Sequence, residues 1–422
     1  MSEVRGVALV NLGCRVNRVE LDHMALELER AGATLVPERE ASVVIVNTCA
    51  VTGEAEAKTR KAVRRAATMP GEPLVIATGC VANLFSDELA ALAPNVRVER
   101  DKSAVASLAS EALGLLPSAG APASAPSAPT PTGRTRPGIK IQDGCDNRCT
   151  YCIVWRARGA GRSMPADEVL AAVRAALGRG AHEVVLTGIN LGSYRAPGAD
   201  GRELGLPALL DLLLAETDVE RIRLSSIEPP DVTDELCRTM ARAGSRVAPF
   251  LHVCLQSGCD ETLRRMARVY RTDDFRRVVE TAREHLPHIA LGTDLIVGFP
   301  GETDDDFGRS LDFCREMRFS RMHVFRYSRR PGTPAATMGG QVDPHVMADR
   351  GERARALAEE LRLSEARRLV GEEDLVVVQY PGRGVSGGLF DVLLDPSVPV
   401  DSLVPVRLTG VRDDATLLAE LA

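Results

Sequence analysis

Residues 145–152 read Cys145-Asp-Asn-Arg-Cys149-Thr-Tyr-Cys152, three cysteines separated by three residues and then by two. Three thiolates on so short a loop can hold three irons of a cubane iron–sulfur cluster, for which thiolate is the usual protein ligand. The fourth iron is then open to a small molecule. An electron-transfer ferredoxin would fill that position with a fourth cysteine, and a structural zinc site would want four ligands. The next cysteine, Cys237, is far along the chain. Zinc and unliganded buried thiols are the alternatives at this point.

Outward from the loop, strand and helix patterns alternate from Gly138 to about Ser328. Short apolar runs predict strands at Ile139–Ile141, Val184–Thr187, Ile222–Ser225, Leu251–Leu255, Leu291–Val297 and Met322–Phe325. Helical spacing falls between them at Ala166–Leu177, Pro207–Ala215, Thr233–Ala243, Thr272–Glu284 and Asp304–Met317. Six β/α units suit an incomplete parallel barrel, whose chemistry gathers at the C-terminal ends of the strands. The cysteine loop follows the first strand directly. Later strand ends carry Thr187-Gly188-Ile189-Asn190, Ser225-Ser226-Ile227-Glu228-Pro229, Leu255-Gln256-Ser257-Gly258-Cys259 and Asp294-Leu-Ile-Val-Gly298-Phe-Pro-Gly-Glu302-Thr303. Thr303 before three aspartates reads as a helix cap with a charged first turn. Cys237, Cys254 and Cys314 read as core, and Cys259 stays open.

Upstream, Val7–Leu12, Val43–Val46 and Leu74–Ala77 read as buried parallel strands, with helices at Glu20–Ala31 and Glu54–Ala67 between them. Each strand is followed at once by a cysteine: Cys14, Cys49 and Cys80. Ligands of open α/β sheets gather beyond the carboxyl ends of the strands, so three such cysteines can meet at one point and hold a second cluster. The plainer alternative is three small buried residues. Lys58, Lys61, Arg64 and Arg65 share one helix face, which suits either phosphate contacts or an ordinary solvated surface.

The chain has 422 residues, ten cysteines and a net charge of −6. That length suits two or three domains, and so few, clustered cysteines suit metal in a reducing compartment better than disulfides. The negative balance gives no global attraction to nucleic acid, leaving only local basic patches. Only Arg5 and a short apolar run precede Gly13-Cys14, too little for a lipoprotein signal. No stretch approaches the length of a membrane span, and a cytoplasmic location is expected. The expected organisation is an N-terminal doubly wound parallel-sheet domain (1–116), a Pro/Ala/Ser-rich linker (117–137), a partial (β/α)6 barrel (138–365) and a small all-β domain (366–422).

The cysteine loop, with Tyr151 before its last cysteine, resembles the signature of the radical S-adenosylmethionine enzymes. In that family the open iron binds the amino and carboxylate groups of S-adenosylmethionine. Gly13-Cys14-Arg15-Val16-Asn17, Asn47-Thr48-Cys49-Ala50-Val51-Thr52 and Gly79-Cys80 resemble the N-terminal domain of the methylthiotransferases, whose three cysteines hold an auxiliary 4Fe–4S cluster. The run Cys49–Arg60 is most similar to the branch acting on N6-threonylcarbamoyladenosine, position 37 of tRNA. The tail, through Gly384 and Gly388, is weakly similar to the TRAM nucleic-acid-binding module, although acidic residues outnumber basic ones there and Tyr380 and Phe390 are its only aromatics.

The resemblance implies two 4Fe–4S clusters, on Cys145, Cys149 and Cys152 and on Cys14, Cys49 and Cys80. It also implies S-adenosylmethionine contacts drawn from Tyr151, Thr187, Gly188, Asn190, Ser225, Glu228, Gln256 and Gly298. The implied reaction is methylthiolation at C2 of the adenine, with S-adenosylmethionine as both radical source and methyl donor. The implied partners are the tRNA anticodon loop, a flavodoxin- or ferredoxin-type electron donor and a sulfur donor. Candidate phosphate contacts are Lys58, Lys61, Arg64, Arg65, Arg156, Arg158, Arg162, Arg326, Arg329 and Arg330. Trp155 and Arg156 depart from the family pattern, where proline and an apolar or aromatic residue are common. The alternatives are another tRNA adenosine (isopentenyladenosine), a ribosomal-protein side chain, and a non-catalytic iron–sulfur or RNA-binding protein.

Overall fold

The run Val43–Thr48 is buried at every position, as a strand covered by helices on both faces must be. In the computed structural model, which describes residues 6–115, 130, 132–198, 201 and 203–422, it is the middle strand of a five-stranded parallel sheet. The strands are β1 (Gly6–Asn11), β2 (Thr34–Leu35), β3 (Val43–Thr48), β4 (Leu74–Gly79) and β5 (Val96–Val98), in spatial order 2-1-3-4-5. The short edge strands β2 and β5 extend the three strands expected from sequence.

One face of this sheet, with Val7, Val43, Ile45 and Ile76, packs on α1 (Arg15–Arg30) and the helix Val105–Ala112. The other, with Ala8, Val44, Val46, Val75 and Ala77, packs with residues of α2 (Gly53–Ala67) and α3 (Cys80–Leu84). The apolar strands end on a polar row, Asn11, Asn47 and Thr78, paired in register across β1, β3 and β4.

Residues 138–326 form six parallel strand layers: Gly138–Lys140, Glu183–Thr187, Arg221–Leu224, Phe250–Val253, Ala290–Val297 and Arg321–Arg326. The third strand breaks at Ser225 and resumes as Ser226–Ile227, which pairs with the fourth. The first and last strands lie at sheet edges, so the barrel is open. Alternation sorts the side chains. Leu251, Val253, Leu291, Leu295, Val297, Met322 and Val324 face the helices in one large core, whereas His252, Asp294 and His323 bond to one another on the inner face. The helix Asp304–Met317 begins as its sequence foretells, with Thr303 and Asp306 forming a reciprocal capping box.

The helix Pro344–Arg368 leads into a closed five-stranded barrel, Glu373–Tyr380, Arg383–Val385, Asp391–Leu393, Leu403–Val411 and Leu417–Leu421. Its loop Ser386–Leu389 is fixed to the open barrel from within. Arg223 donates to the carbonyls of Ser386 and Gly387, and Arg221 donates to that of Leu375. Both arginines and Glu183, to which they are paired, are almost fully buried. Burial alone would raise the Glu183 carboxyl; Arg223, Arg221 and Arg136 outweigh it and hold it well below the usual carboxylate range.

Contacts group the chain into two compact units, Met1–Gly133 with Gly144–Asn147 and Cys152–Ala160, and Arg134–Asp143 with Arg148–Tyr151 and Gly161–Ala422. Of the expected linker, residues 117–129 and 131 lie outside the described residues. No helix among the described residues is long and apolar enough to cross a membrane.

Candidate functional site

The order 2-1-3-4-5 reverses direction between β1 and β3, and open sheets of this order bind ligands at that switch point. Cys14 follows β1 as the N-cap of α1, Cys49 follows β3, and Cys80 follows β4 as the first residue of α3. The approach is tight. Gly13, at φ +109°, leaves no room for a Cβ, which would lie 2.4 Å from Cys49 Sγ. Burial pushes the Cys49 thiol up to about 11, and the neighbouring Cys14 and Cys80 thiols add to the rise. Burial also raises Cys14, against the lowering pull of Arg158. Thiols held neutral in this way release protons when metal binds.

The three loops are braced by buried polar side chains. The Asn17 side-chain amide donates to the carbonyls of Leu12 and Thr48, both at 2.9 Å, and the Asn17 backbone carbonyl accepts from the Asn47 side chain. Thr48 Oγ1 accepts from the amides of Val81 and Ala82, where α3 begins. Arg158 donates to Asn17 Oδ1 at 2.6 Å and to Glu20 Oε1 at 2.9 Å, and Lys102 pairs with the same Glu20.

In the second triad, Gly144 at φ +71° precedes Cys145, whose amide donates to the Gly159 carbonyl at 3.1 Å. Cys152 Sγ accepts from the Val154 amide at 3.4 Å. Cys149 is buried and receives a hydrogen bond from Arg268 at 3.0 Å. Arg268 also reaches Tyr151 Oη, donates to Tyr270 Oη at 3.0 Å and pairs with Glu228. Tyr270 donates in turn to the carbonyls of Cys254 and Leu255, the strand end before Gln256. Neither Arg268 nor Tyr270 stands out in the sequence, because each acquires its role only when distant strand ends are brought together.

The expected cofactor residues lie at the C-terminal strand ends of the open barrel. Gln142 Oε1 accepts from the amides of Ile189 and Asn190, shaping the turn after the second strand, where Gly188 lies against the Gln142 side chain. Thr187 Oγ1, Asn190 Oδ1 and Ser225 Oγ are buried with no hydrogen-bond partner among the described residues. Such orphans need explaining, and a polar ligand suits them. Gln256 is buried at φ +66° and bridges Leu295. Gly298 has a nearer explanation: its φ is +74°, a Cβ there would strike Met347, and its amide donates to Glu302.

Further along the inner face, Asp294 accepts from His252 at 3.0 Å, from His323 at 3.1 Å and from Cys254 at 3.8 Å. His252, Cys254 and Asp294 offer ligand atoms within 4.8 Å of one another, near enough for one cation. The hydrogen bonding nevertheless reads as donors around a carboxylate. Burial alone would raise Asp294, but the two imidazole bonds hold it well below the usual range. Cys259 is buried against Asp306 instead.

The basic candidates divide. Lys61, Arg64 and Arg326 are exposed, while Lys58 and Arg65 are exposed but paired with Glu54 and Glu38. Arg162 is paired with Asp143, and Arg329 donates to the Ala336 carbonyl. Arg158 and Arg330 are corrected here: both are buried, so neither presents a guanidinium to a phosphate backbone. Arg158 is turned inward by Glu20, 138 residues earlier in the chain.

An open parallel barrel with a three-cysteine loop after its first strand defines a radical S-adenosylmethionine fold. A family model described as "Radical SAM superfamily" matches residues 139–314, and one described as "Uncharacterized protein family UPF0004" matches residues 6–99. A threonylcarbamoyladenosine tRNA methylthiotransferase MtaB of Thermotoga maritima is 36% identical over 394 residues, covering 91% of this chain and 89% of that protein. The MtaB of Bacillus subtilis is 35% identical, with 84% and 80% covered. A tRNA-2-methylthio-N(6)-dimethylallyladenosine synthase of Frankia alni is 38% identical, with 90% and 78% covered. The radical S-adenosylmethionine methyltransferase TsrM of Kitasatospora setae shares the fold at a TM-score of 0.54 and 16% identity, with 78% and 77% covered.

The chain belongs to the radical S-adenosylmethionine tRNA methylthiotransferases. Enzymes of this type use two 4Fe–4S clusters and S-adenosylmethionine.

Proposed function

We propose that the protein methylthiolates C2 of N6-threonylcarbamoyladenosine beside the tRNA anticodon. The observation that carries this reading is the triad Cys14, Cys49 and Cys80 at the switch point of the N-terminal sheet, with the run Ala50-Val51-Thr52-Gly53-Glu54 behind its second cysteine. That run follows the threonylcarbamoyladenosine branch. Relatives named for dimethylallyladenosine match over as much of the chain, and that substrate is the second reading.

Cys145, Cys149 and Cys152 would hold one cluster, and Cys14, Cys49 and Cys80 the other. The chemistry these groups supply when bound is one-electron cleavage of S-adenosylmethionine and delivery of sulfur. The protein's own part is to orient and to exclude water. Arg268 supplies a fixed positive charge beside Cys149, suited to the methionyl carboxylate, while Thr187, Asn190 and Ser225 offer the orphaned polar atoms that a nucleoside sulfonium ligand can satisfy. Asn17 and Thr48 fix the three loops of the auxiliary triad. Lys61, Arg64 and Arg326 remain as phosphate contacts, and the five-stranded C-terminal barrel is read as a TRAM-like module. A reducing protein of flavodoxin or ferredoxin type and a sulfur donor complete the system, in the cytoplasm.

The test is anaerobic reconstitution with tRNA carrying either modified adenosine, followed by nucleoside mass spectrometry. The reading expects 2-methylthio product from the threonylcarbamoyl substrate. Product from the isopentenyl substrate alone would move the assignment to the second reading.

A further inference from the structure

The inner face of the open barrel carries a polar relay that none of the proposed cluster or S-adenosylmethionine contacts uses. Asp294, on the fifth strand, accepts from His323 Nδ1 on the sixth, and His323 Nε2 lies 3.3 Å from Arg321 Nε. Arginine can only donate, so His323 accepts at Nε2 and carries its proton at Nδ1, which the Asp294 carboxylate requires. His252 stacks on the His323 ring at 5.1 Å and donates to the same carboxylate, and Cys254 adds a third donor. Both imidazoles bond the same oxygen, Oδ1, so the Asp294 charge serves to fix the two rings.

Arg321 is left with its terminal nitrogens unspent. Its only hydrogen bond among the described residues is the one from Nε to His323, and no carboxylate lies within ion-pair distance of it. It is half-buried, and Arg362 adds a second positive charge nearby. A guanidinium held by Nε alone offers its two-pronged edge, the geometry that matches a carboxylate. Gly292, opposite Arg321 in register, has no side chain, and the Phe250 ring and His252 fill the space beside it. Toward the strand's C-terminal end, Phe325 faces the same side at 39% exposure, its ring edge-on to His323. Successive inner-face positions are about 6.6 Å apart. An exposed aromatic ring, an imidazole and a free guanidinium edge therefore descend in order along one strand.

We infer that Arg321, oriented by His323 and Asp294, receives the carboxylate of the N6-threonylcarbamoyl group, with the purine lying toward Phe325. This rests on the threonylcarbamoyladenosine reading and names the group that would enforce it, because an isopentenyl group has no charge to offer. Arg321 is the contact residue and His323 a positioning residue.

The experiment uses the full-length reconstituted enzyme and an anticodon stem–loop bearing the threonylcarbamoyl group either as the free acid or as its methyl ester. The readout is the ratio of kcat/KM for the two substrates. Wild type is expected to prefer the acid, and Arg321→Gln to lower that preference by about ten- to a hundredfold, the range of a charge-assisted hydrogen bond. Arg321→Lys, a point charge without the fork, is expected to restore part of it, and His323→Phe to raise KM for the acid. An unchanged preference in Arg321→Gln, or equal losses on acid and ester, overturns the assignment. Should Arg321→Gln fail to fold, an undiminished preference in Arg321→Lys and His323→Phe overturns it equally. Wild type that forms no 2-methylthio product from the acid overturns the underlying reading, and this assignment with it.

Discussion

Arg268 brings a guanidinium nitrogen to 3.0 Å from Cys149 Sγ while pairing with Glu228, so one buried cation joins a cysteine of the proposed cluster to the end of the third barrel strand. The contact is charge-assisted once the thiol is a thiolate, and such bonds are worth about 1.5–3 kcal/mol. Arg268→Gln also strands the Glu228 carboxylate. The expected outcome is a loss of about ten- to a hundredfold in the rate of 5′-deoxyadenosine formation, read by chromatography after anaerobic reduction. Unaltered cleavage would show that the contact is packing only.

Gly13 lies where a side chain would occupy the place of Cys49. Gly13→Ala adds a clash to a backbone at φ +109°, which disfavours any residue with a Cβ. The variant is expected to lose the iron of one cluster and all 2-methylthio product, while S-adenosylmethionine cleavage persists. Iron analysis beside the 5′-deoxyadenosine assay separates the two effects.

The placing of the six cysteines after their strands was legible in the sequence, for different reasons. Cys145, Cys149 and Cys152 are local, and their spacing is visible without a fold. Cys14, Cys49 and Cys80 are far apart, but each sits directly after a Val/Ile-rich run, and parallel strands bring their ends together. Thr303 announced its helix because a cap acts within one turn. Arg158 misled: beside the cysteine loop it reads as a phosphate contact, and nothing local reveals that Glu20 and Asn17 bury it. Arg268, Tyr270 and the relay from Asp294 through His323 to Arg321 were invisible for the same reason. Their partners lie on other strands, and a lone arginine or histidine is ambiguous until the sheet sets its register.

Removing one partner of a buried ion pair leaves an uncompensated charge and costs about 3–5 kcal/mol. Arg158 and Glu20 are both 4% exposed, and Lys102 also reaches Glu20. Arg158→Met is therefore expected near the lower end, about 3 kcal/mol, measured by urea denaturation. A change within experimental scatter would mean that Lys102 alone satisfies Glu20.

The Glu183 carboxyl is held below its unfolded value of about 4.3 by Arg223, Arg221 and Arg136. A depressed carboxyl stabilises the fold at pH above that unfolded value and loses the contribution as pH falls below it. Glu183→Gln is expected to be about 3–5 kcal/mol less stable than wild type at pH 7, with the gap narrowing below about pH 4.3. Denaturation midpoints across that range check both statements, and a gap that widened on acidification would contradict them.

The most direct test of the whole account is mass spectrometry of nucleosides from the tRNA of cells lacking this protein. In those cells 2-methylthio-N6-threonylcarbamoyladenosine is expected to disappear and its unthiolated precursor to accumulate, and the wild-type gene is expected to restore the product while a Cys49→Ala copy does not. Persistence of the methylthiolated nucleoside at its normal level in the deletion strain, with no other copy of the activity present, would contradict it.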